Sequence, residues 1–220
     1  MEKLLLLMSH STATILCFVM SWFLQMGLHE GAHAYVADFL GDPTAERAGL
    51  KTFDPFRHIR WNDLSSLLFS VVFPILTAVQ GYVPMGMAWV PVNPASFRNP
   101  ERDHALVSAA GPVSNLLLAA VCLLLHHILP LPADPTSLAA LPHLFLQTLY
   151  LTSIVYGFFN LIPVPPLDGS RVVYWLLPRP GKDFLDDIAP YGFLILIGLF
   201  WFGSGSSLFG RAITAVMRIW

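Results

Sequence analysis

The chain has 220 residues, of which 55% are hydrophobic and only 12% are charged, and its formal net charge is -2. Its mean hydropathy is +0.61, and about a quarter of the residues of a soluble domain are charged, so we predict an all-α polytopic membrane protein. The lipid bilayer is therefore an expected partner. Nucleic acid is not, because the chain has neither a basic stripe nor an aromatic RNA-binding motif. No oligomeric state follows from the sequence.

The first predicted helix runs from Leu4 to about Leu40, and Gly41 and Pro43 follow it as stop signals. Its start resembles a signal peptide, but the apolar run continues without a small-residue cleavage site. We therefore interpret the helix as a retained membrane span. The segment LHEGAHA, residues 28–34, lies near its exit.

His29, Glu30 and His33 form an HExxH pattern in this helix. The four-residue spacing puts both imidazoles on one helix face, where they can bind one zinc ion, and Glu30 lies close enough to act on water at the metal. Ionisable side chains at the edge of a membrane span are costly to desolvate, which favours a functional role. The pattern predicts a zinc hydrolase that needs a third ligand.

The polar segment 41–63 is the most positively charged loop, so we expect it in the cytoplasm. Its basic residues are Arg47, Lys51, Arg57 and Arg60. The segment is much shorter than the roughly 50 residues of an independent domain. We therefore expect a single membrane-embedded domain over residues 1–220, with no appended soluble module.

Leu64 to Gln80 is apolar and has about the minimum length for a membrane span. Prolines and glycines break the residues that follow it, 81–94. A simple span would put Arg98 and Arg102 outside the cell, against the usual charge bias, whereas a re-entrant hairpin returns them to the cytoplasm. Irregular backbone at membrane depth is tolerated where protein covers it or where it lines a watery cavity. We predict a hairpin that is helical going in and extended coming out.

Three further spans are predicted, at His104 to Leu129, Leu138 to Ile162 and Ile188 to Phe202. The loop between the first two, near residues 130–135, carries no positive charge, which places it outside. The tail to Trp220 fits either an interfacial or a re-entrant segment. The chain therefore has four to six transmembrane segments.

Asp168 is the candidate third metal ligand. It follows Pro163, Pro165 and Pro166, which break a helix, and it precedes Gly169, which permits an unusual backbone turn. Two nitrogens and one oxygen would leave a fourth position for water, as in catalytic zinc sites. The alternative is an ordinary interfacial turn in which Asp168 is solvated.

Three segments together resemble the motifs of the site-2 protease intramembrane metalloproteases, peptidase family M50. They are HEGAH at 29–33, GPVSN at 111–115 and NLIPVPPLDG at 160–169, and they match HExxH, GPxxN and NxxPxPxLDG in family order. LGDPTAERAG and WVPVNPASFRNPERDHALVSAAGP are similar to the compact prokaryotic branch, which lacks PDZ and CBS domains. The resemblance covers nearly the whole chain.

The resemblance implies one Zn²⁺ ion, held by His29, His33 and Asp168. It also implies roles for three other residues, a general base and proton shuttle at Glu30, a donor to the substrate carbonyl or oxyanion at Asn160, and an orienting or helix-packing residue at Asn115. The chain departs from the family in the loop DPFRHIR, residues 54–60, where Arg60 replaces an acid. We assign that loop no catalytic role.

The implied function is zinc-dependent endoproteolysis within the membrane. The expected substrate is a membrane protein whose transmembrane helix can unwind, and Met85 to Val92 is expected to bind it by strand addition. The implied location is the prokaryotic cell membrane, with the active site toward the cytoplasm. Two alternatives are an inactive scaffold, which would not need Glu30, and a metal transporter, which would carry polar residues along several spans.

Overall fold

The computed structural model describes residues 12–132, 137–201, 210–211, 214–215 and 218–220. Within these residues the chain is helical and contains no strand, so the prediction of an all-α protein is confirmed. The predicted helix start at Leu4, part of the loop near residues 130–135 and most of the tail lie outside the described residues. The helices are α1 Thr12–Phe39, α2 Thr44–Arg47, α3 Leu64–Leu67, α4 Phe73–Val79, α5 Pro100–Ile128, α6 Leu141–Asn160, α7 Asp168–Leu176, α8 Arg179–Ile188 and α9 Gly192–Trp201.

Three helices in the described part of the chain are long and apolar enough to cross a membrane, namely α1, α5 and Leu138–Asn160, which contains α6. Each packs against the other two. On α5, Leu117, Val121 and Leu124 point outward and are exposed, at the three- and four-residue spacing of one helix face. This apolar outer surface suits the hydrocarbon interior of a bilayer.

The predicted hairpin has the expected shape. Helices α3 and α4, joined by a π-helical segment over Leu68–Val72, form one apolar segment, Leu64–Val79, that is shorter than the three spans. The chain then reverses near Gly81, whose φ is +81°. Residues 83–93, called the extended return below, run back without forming a helix. The hairpin, with the three long helices, accounts for four of the predicted membrane segments.

The first half of the extended return is fixed by hydrogen bonds to α6 and to the helical half of the hairpin. The Tyr156 hydroxyl accepts from the Gly86 N–H at 2.8 Å and donates to the Pro84 carbonyl at 2.9 Å. The Met87 N–H donates to the Phe69 carbonyl at 3.1 Å, and the Ser70 hydroxyl donates to the Met87 carbonyl at 2.6 Å. The hairpin is thereby held against α6.

The far end of the return is tied to the end of α1 through Asp42, which is fully buried. The Asp42 carboxylate accepts from the backbone N–H of Thr44 at 3.1 Å and of Asn93 at 2.6 Å, and from the Thr44 hydroxyl. Burial opposes ionisation of Asp42, but these hydrogen bonds outweigh it and hold its pKa below the usual range. Asp42 therefore connects the first helix to the hairpin.

The predicted last span differs from the structure at its start. Residues 189–191 form a 3-10 turn, so the apolar helix α9 begins at Gly192, four residues later than expected. Between α6 and α9 the chain forms α7 and α8. Pro180 is the second residue of α8, where the missing backbone N–H costs nothing.

Candidate metal centre and active site

One face of α1 lines a cavity inside the bundle. The residues of this face recur at helical spacing and are Trp22, Gln25, Met26, His29, Glu30 and His33. His29 and His33 are each 8% exposed and Glu30 is 5% exposed. The helical period thus places the HExxH residues on the side of α1 that faces the other helices.

The two histidines and Asp168 converge on one point. Asp168 Oδ2 lies 3.1 Å from His29 Nε2 and 3.5 Å from His33 Nε2, and the candidate ligand atoms all lie within 4.8 Å of one another. Tetrahedral zinc with ligands at 2.0–2.1 Å would separate its ligand atoms by about 3.3 Å. The three side chains fit one zinc ion. Among the described residues, no other group of His, Cys, Asp and Glu meets this spacing.

Asp168 reaches the histidines because α7 starts against the end of α6. A Cβ added at Gly169 would lie 2.8 Å from the Ile162 carbonyl oxygen and closer still to the Leu161 backbone. Gly169 itself has helical conformation within α7, so the expectation of an unusual backbone turn there is wrong. Glycine is needed for space, and that space lets Asp168 face the two imidazoles.

Gly111 of the GPVSN segment allows α5 to approach the metal ligands. A Cβ at this position would lie 2.6 Å from His29 Cε1 and would also meet His33 Nε2. Any side chain here would displace at least one imidazole. The sequence motif contained this glycine, but its purpose becomes clear only from the contact between α5 and α1.

The outer nitrogen of His33 bonds to the backbone of α5. Its Nδ1 lies 2.7 Å from the Val107 carbonyl oxygen, and a carbonyl can only accept, so this nitrogen carries the proton. In the neutral ring Nε2 then keeps its lone pair, which points at the candidate metal position. Val107 was not predicted from the sequence, since a backbone carbonyl leaves no residue-type signal.

Asn115 lies behind His29. Its Nδ2 is 3.2 Å from His29 Nδ1, its side chain is fully buried, and its Oδ1 has no hydrogen-bond partner. A rotation of the amide by 180° would exchange the two atoms and place the acceptor oxygen at His29 Nδ1. The predicted orienting residue is thus brought next to a predicted metal ligand.

The other predicted residues line the cavity, which has a volume of about 940 Å³. Glu30 lines it from α1, Asn160 from the end of α6 and Asp168 from the start of α7, whereas Asn115 does not line it. The extended return contributes residues 85–90, and most of the remaining wall is apolar. The arrangement combines a metal-ligand cluster, a carboxylate and an extended backbone around one space.

The loop DPFRHIR packs against the opposite side of α1. Cβ atoms at Gly27 and Gly31 would clash with the backbone or ring of Phe53, and one at Gly27 would also lie 3.1 Å from Pro55, so these two glycines admit the loop and the residue before it. His58 is buried, its Nε2 lies 3.0 Å from the Thr52 carbonyl oxygen, and it does not line the cavity. The position of His58 suits a structural role.

The chain is similar in sequence to one protein family and to proteins of several bacteria. The family model described as peptidase family M50 matches residues 127–199, which contain Asn160 and Asp168. YwhC of Bacillus subtilis is 32% identical over 188 residues, covering 83% of this chain and 78% of that protein. Rip2 of Mycolicibacterium smegmatis is 28% identical over 183 residues, covering 82% and 65%, and Rip2 of Mycobacterium tuberculosis H37Rv is 33% identical over 182 residues, covering 83% and 65%. The names of all three assign them to the zinc metalloproteases. No solved structure gives a significant match.

Proposed function

The chain belongs to peptidase family M50, and from this membership we propose that it is an intramembrane endopeptidase that cleaves other membrane proteins in or near their transmembrane segments. The family makes it a membrane-associated zinc metalloprotease. Beyond this family-level activity, we propose the substrate class and a role in regulated intramembrane proteolysis. Its main support is that His29, His33 and Asp168 meet at an apolar cavity inside a bundle of membrane-spanning helices.

Glu30 is the proposed general base. When bound by His29, His33 and Asp168, zinc supplies Lewis acidity, which acidifies water and polarises a carbonyl. Glu30 accepts the proton of the attacking water and then returns it to the leaving amine. Its side chain lies on the cavity face of α1, next to His29 in sequence, which suits both transfers.

Asn160 is the proposed donor to the developing oxyanion. It lines the cavity from the C-terminal end of α6, and its side-chain amide can donate two hydrogen bonds. Such a donor accelerates a reaction when it points at the position where negative charge develops. In the same step, Asn160 thus stabilises the substrate oxygen that gains negative charge, and Glu30 accepts the proton that the water loses.

Asn115 is the proposed orienting residue for His29. Metal binding through His29 Nε2 requires the proton on Nδ1, and this N–H then needs an acceptor. The Asn115 Oδ1 provides it once the amide is turned, which also gives a partner to an otherwise unpaired buried oxygen. Asn115 would accept a hydrogen bond from His29 Nδ1, as the Val107 carbonyl accepts one from His33 Nδ1.

The extended return is the proposed binding edge for the unwound substrate. Its first half is bonded to the bundle, but the backbone N–H and C=O groups of Ala88, Trp89 and Val90 have no hydrogen-bond partner among the described residues. These residues line the cavity. An extended substrate segment could pair with them by strand addition, which would stabilise it in the unfolded form that cleavage requires.

Proline substitutions test this binding edge. Only every second residue of a strand edge presents its N–H to a given neighbour, so Trp89→Pro should differ from Ala88→Pro and Val90→Pro in its effect on cleavage. Either Trp89→Pro alone, or Ala88→Pro and Val90→Pro together, should lose cleavage activity, while the amount of bound zinc stays constant. Equal cleavage by all three variants and the wild type would contradict strand addition.

The proposed location is a prokaryotic cell membrane, with the active site toward the cytoplasm. The metal ligands of α1 lie within about three turns of its C-terminal end, which leads into the basic loop. Basic loops are retained in the cytoplasm. Modification of a single cysteine placed in the loop by a membrane-impermeant reagent tests this, and labelling in intact cells would contradict it.

The function itself is tested with purified protein in liposomes and a synthetic single-span peptide that carries a Gly-Pro break. We expect one cut within or near the span, loss of cleavage on removal of zinc by a chelator, and recovery on its return. Cleavage that survives complete zinc removal would contradict the proposed chemistry. Cleavage of soluble peptides but of no membrane-spanning peptide would contradict the proposed substrate class.

A further inference from the structure

Gln25 lies on the cavity face of α1, one turn before His29. It is 1% exposed, and its Oε1 has no hydrogen-bond partner. Two polar side chains one turn earlier on α1 are already bonded elsewhere, since Trp22 Nε1 donates to the Ser70 carbonyl at 2.9 Å and Ser21 Oγ pairs with Thr148 Oγ1 at 3.1 Å. A buried amide oxygen without a partner is costly, so its presence in a cavity wall points to a ligand.

The chemistry of Gln25 matches a peptide group. A primary amide has a carbonyl oxygen that accepts and an NH₂ group that donates. A substrate helix that unwinds in an apolar cavity exposes N–H and C=O groups, and these are costly to leave unpaired in a hydrophobic environment. Apart from the residues already given roles above, the cavity wall offers few such groups, namely the side chains of His104, Ser108 and Arg171.

For a substrate that runs alongside α1, the position of Gln25 relative to His29 indicates which peptide group it meets. Gln25 and His29 are four residues apart, which is about 6 Å along a helix, and an extended chain advances about 3.3 Å per residue. We propose that Gln25 is a substrate-positioning residue that pairs with a peptide group about two residues from the cleaved bond, on the side away from the C-terminal end of α1. This inference rests on the proposed endopeptidase function.

The test combines a variant with modified substrates. Gln25→Met keeps the length of the side chain and removes its hydrogen-bonding groups. The substrate is a synthetic single-span peptide with a Gly-Pro break, together with a series in which one backbone N–H at a time is replaced by an ester oxygen. Gln147→Met, at a buried glutamine of α6 outside the cavity, controls for the general cost of losing a buried amide.

We expect the wild type to lose about five- to tenfold in kcat/KM when the ester lies about two residues from the cleaved bond, the usual effect of one hydrogen bond. Gln25→Met should show a loss of this size on the unmodified peptide, and the same ester should cost it nothing more, since both changes remove one interaction. Gln147→Met should keep the ester sensitivity of the wild type, and all three proteins should bind equal zinc.

The inference is overturned if Gln25→Met cleaves the unmodified peptide as well as the wild type does. It is also overturned if Gln25→Met is slower but stays as sensitive as the wild type to every ester, because its effect would then be structural. If Gln25→Met does not retain zinc, Gln25→Leu takes its place under the same criteria. Failure of the wild type to cleave any of these peptides would overturn the proposed function, and this inference with it.

Discussion

Gly111→Ala should weaken zinc binding, because the added methyl group meets the imidazoles. Its Cβ would lie 2.6 Å from His29 Cε1, about 0.8 Å less than the 3.4 Å at which ordinary contact begins. Ligand distances in metal sites lie within about 0.2 Å of their usual values, so a ring displaced by several times this distance no longer binds well. The substitution acts on the metal centre from a helix that supplies no ligand.

The size of the effect follows from the cost of overpacking. Extra methyl groups in packed interiors cost about 1–3 kcal/mol. If this strain falls on the zinc-bound form, the zinc dissociation constant rises about 5- to 150-fold, since 1.4 kcal/mol is tenfold. Competition with a chromogenic chelator measures this constant in detergent, and thermal unfolding of the same samples reports whether the fold is retained.

Gly157→Ala is the matched control. Its added Cβ would lie 2.8 Å from Leu116 Cδ2, so it crowds a helix contact of the same bundle without touching a metal ligand. Both variants gain the same helix propensity from alanine. We expect Gly157→Ala to bind zinc within about twofold of the wild type. If Gly111→Ala also binds zinc like the wild type, the close approach of α5 to the imidazoles is not what shapes the site.

Two further predictions concern residues that support the site. Asn115→Leu should weaken zinc binding about 10- to 100-fold, whereas Asn115→Asp, which keeps an acceptor for His29, should retain most of the affinity; equal affinities of the two variants in the chelator assay would refute the orienting role. Asp42→Ala should lower the free energy of unfolding by about 2 kcal/mol at neutral pH. Because the pKa of Asp42 is lowered in the fold, its contribution is complete above the unfolded carboxyl pKa, about 4, and is lost as the pH falls through the native value. The difference in Tm between wild type and Asp42→Ala should therefore become smaller below about pH 4. A difference in Tm that does not change with pH would contradict this role of Asp42.

Much of the bundle was predictable because apolar length alone identifies spans. Composition predicted the long helices, and Gly41, with a φ of +105°, ends α1 as expected. Charge bias and prolines predicted the re-entrant hairpin. By contrast, no helix was predicted between Ile162 and Ile188, where the structure has α7 and α8. Both helices are short and carry charged residues, so the apolar length that identifies membrane spans does not reveal them.

For the candidate site, the sequence predicted the residues whose side chains carry the chemistry, but not the residues that position them. The HExxH spacing and the order of the three motifs point to His29, His33 and Asp168. The residues that shape and hold the site are not chemically distinctive, because Gly111 acts through the absence of a side chain and Val107 through its backbone. In the sequence, nothing distinguishes Tyr156 from other aromatic residues of a membrane span. Its role in holding the hairpin follows only from its hydrogen bond to the Gly86 N–H.

The most direct measurement compares cleavage of the single-span peptide by the wild type and by Glu30→Gln, with bound zinc quantified in both. Glutamine matches glutamate in size but cannot accept the proton of water, and general base catalysis contributes about 10²- to 10⁴-fold. We expect about one zinc per chain in both proteins, with the turnover of Glu30→Gln lower by a factor in this range. Equal turnover by the two proteins at equal zinc content would contradict the assignment of Glu30 as the base.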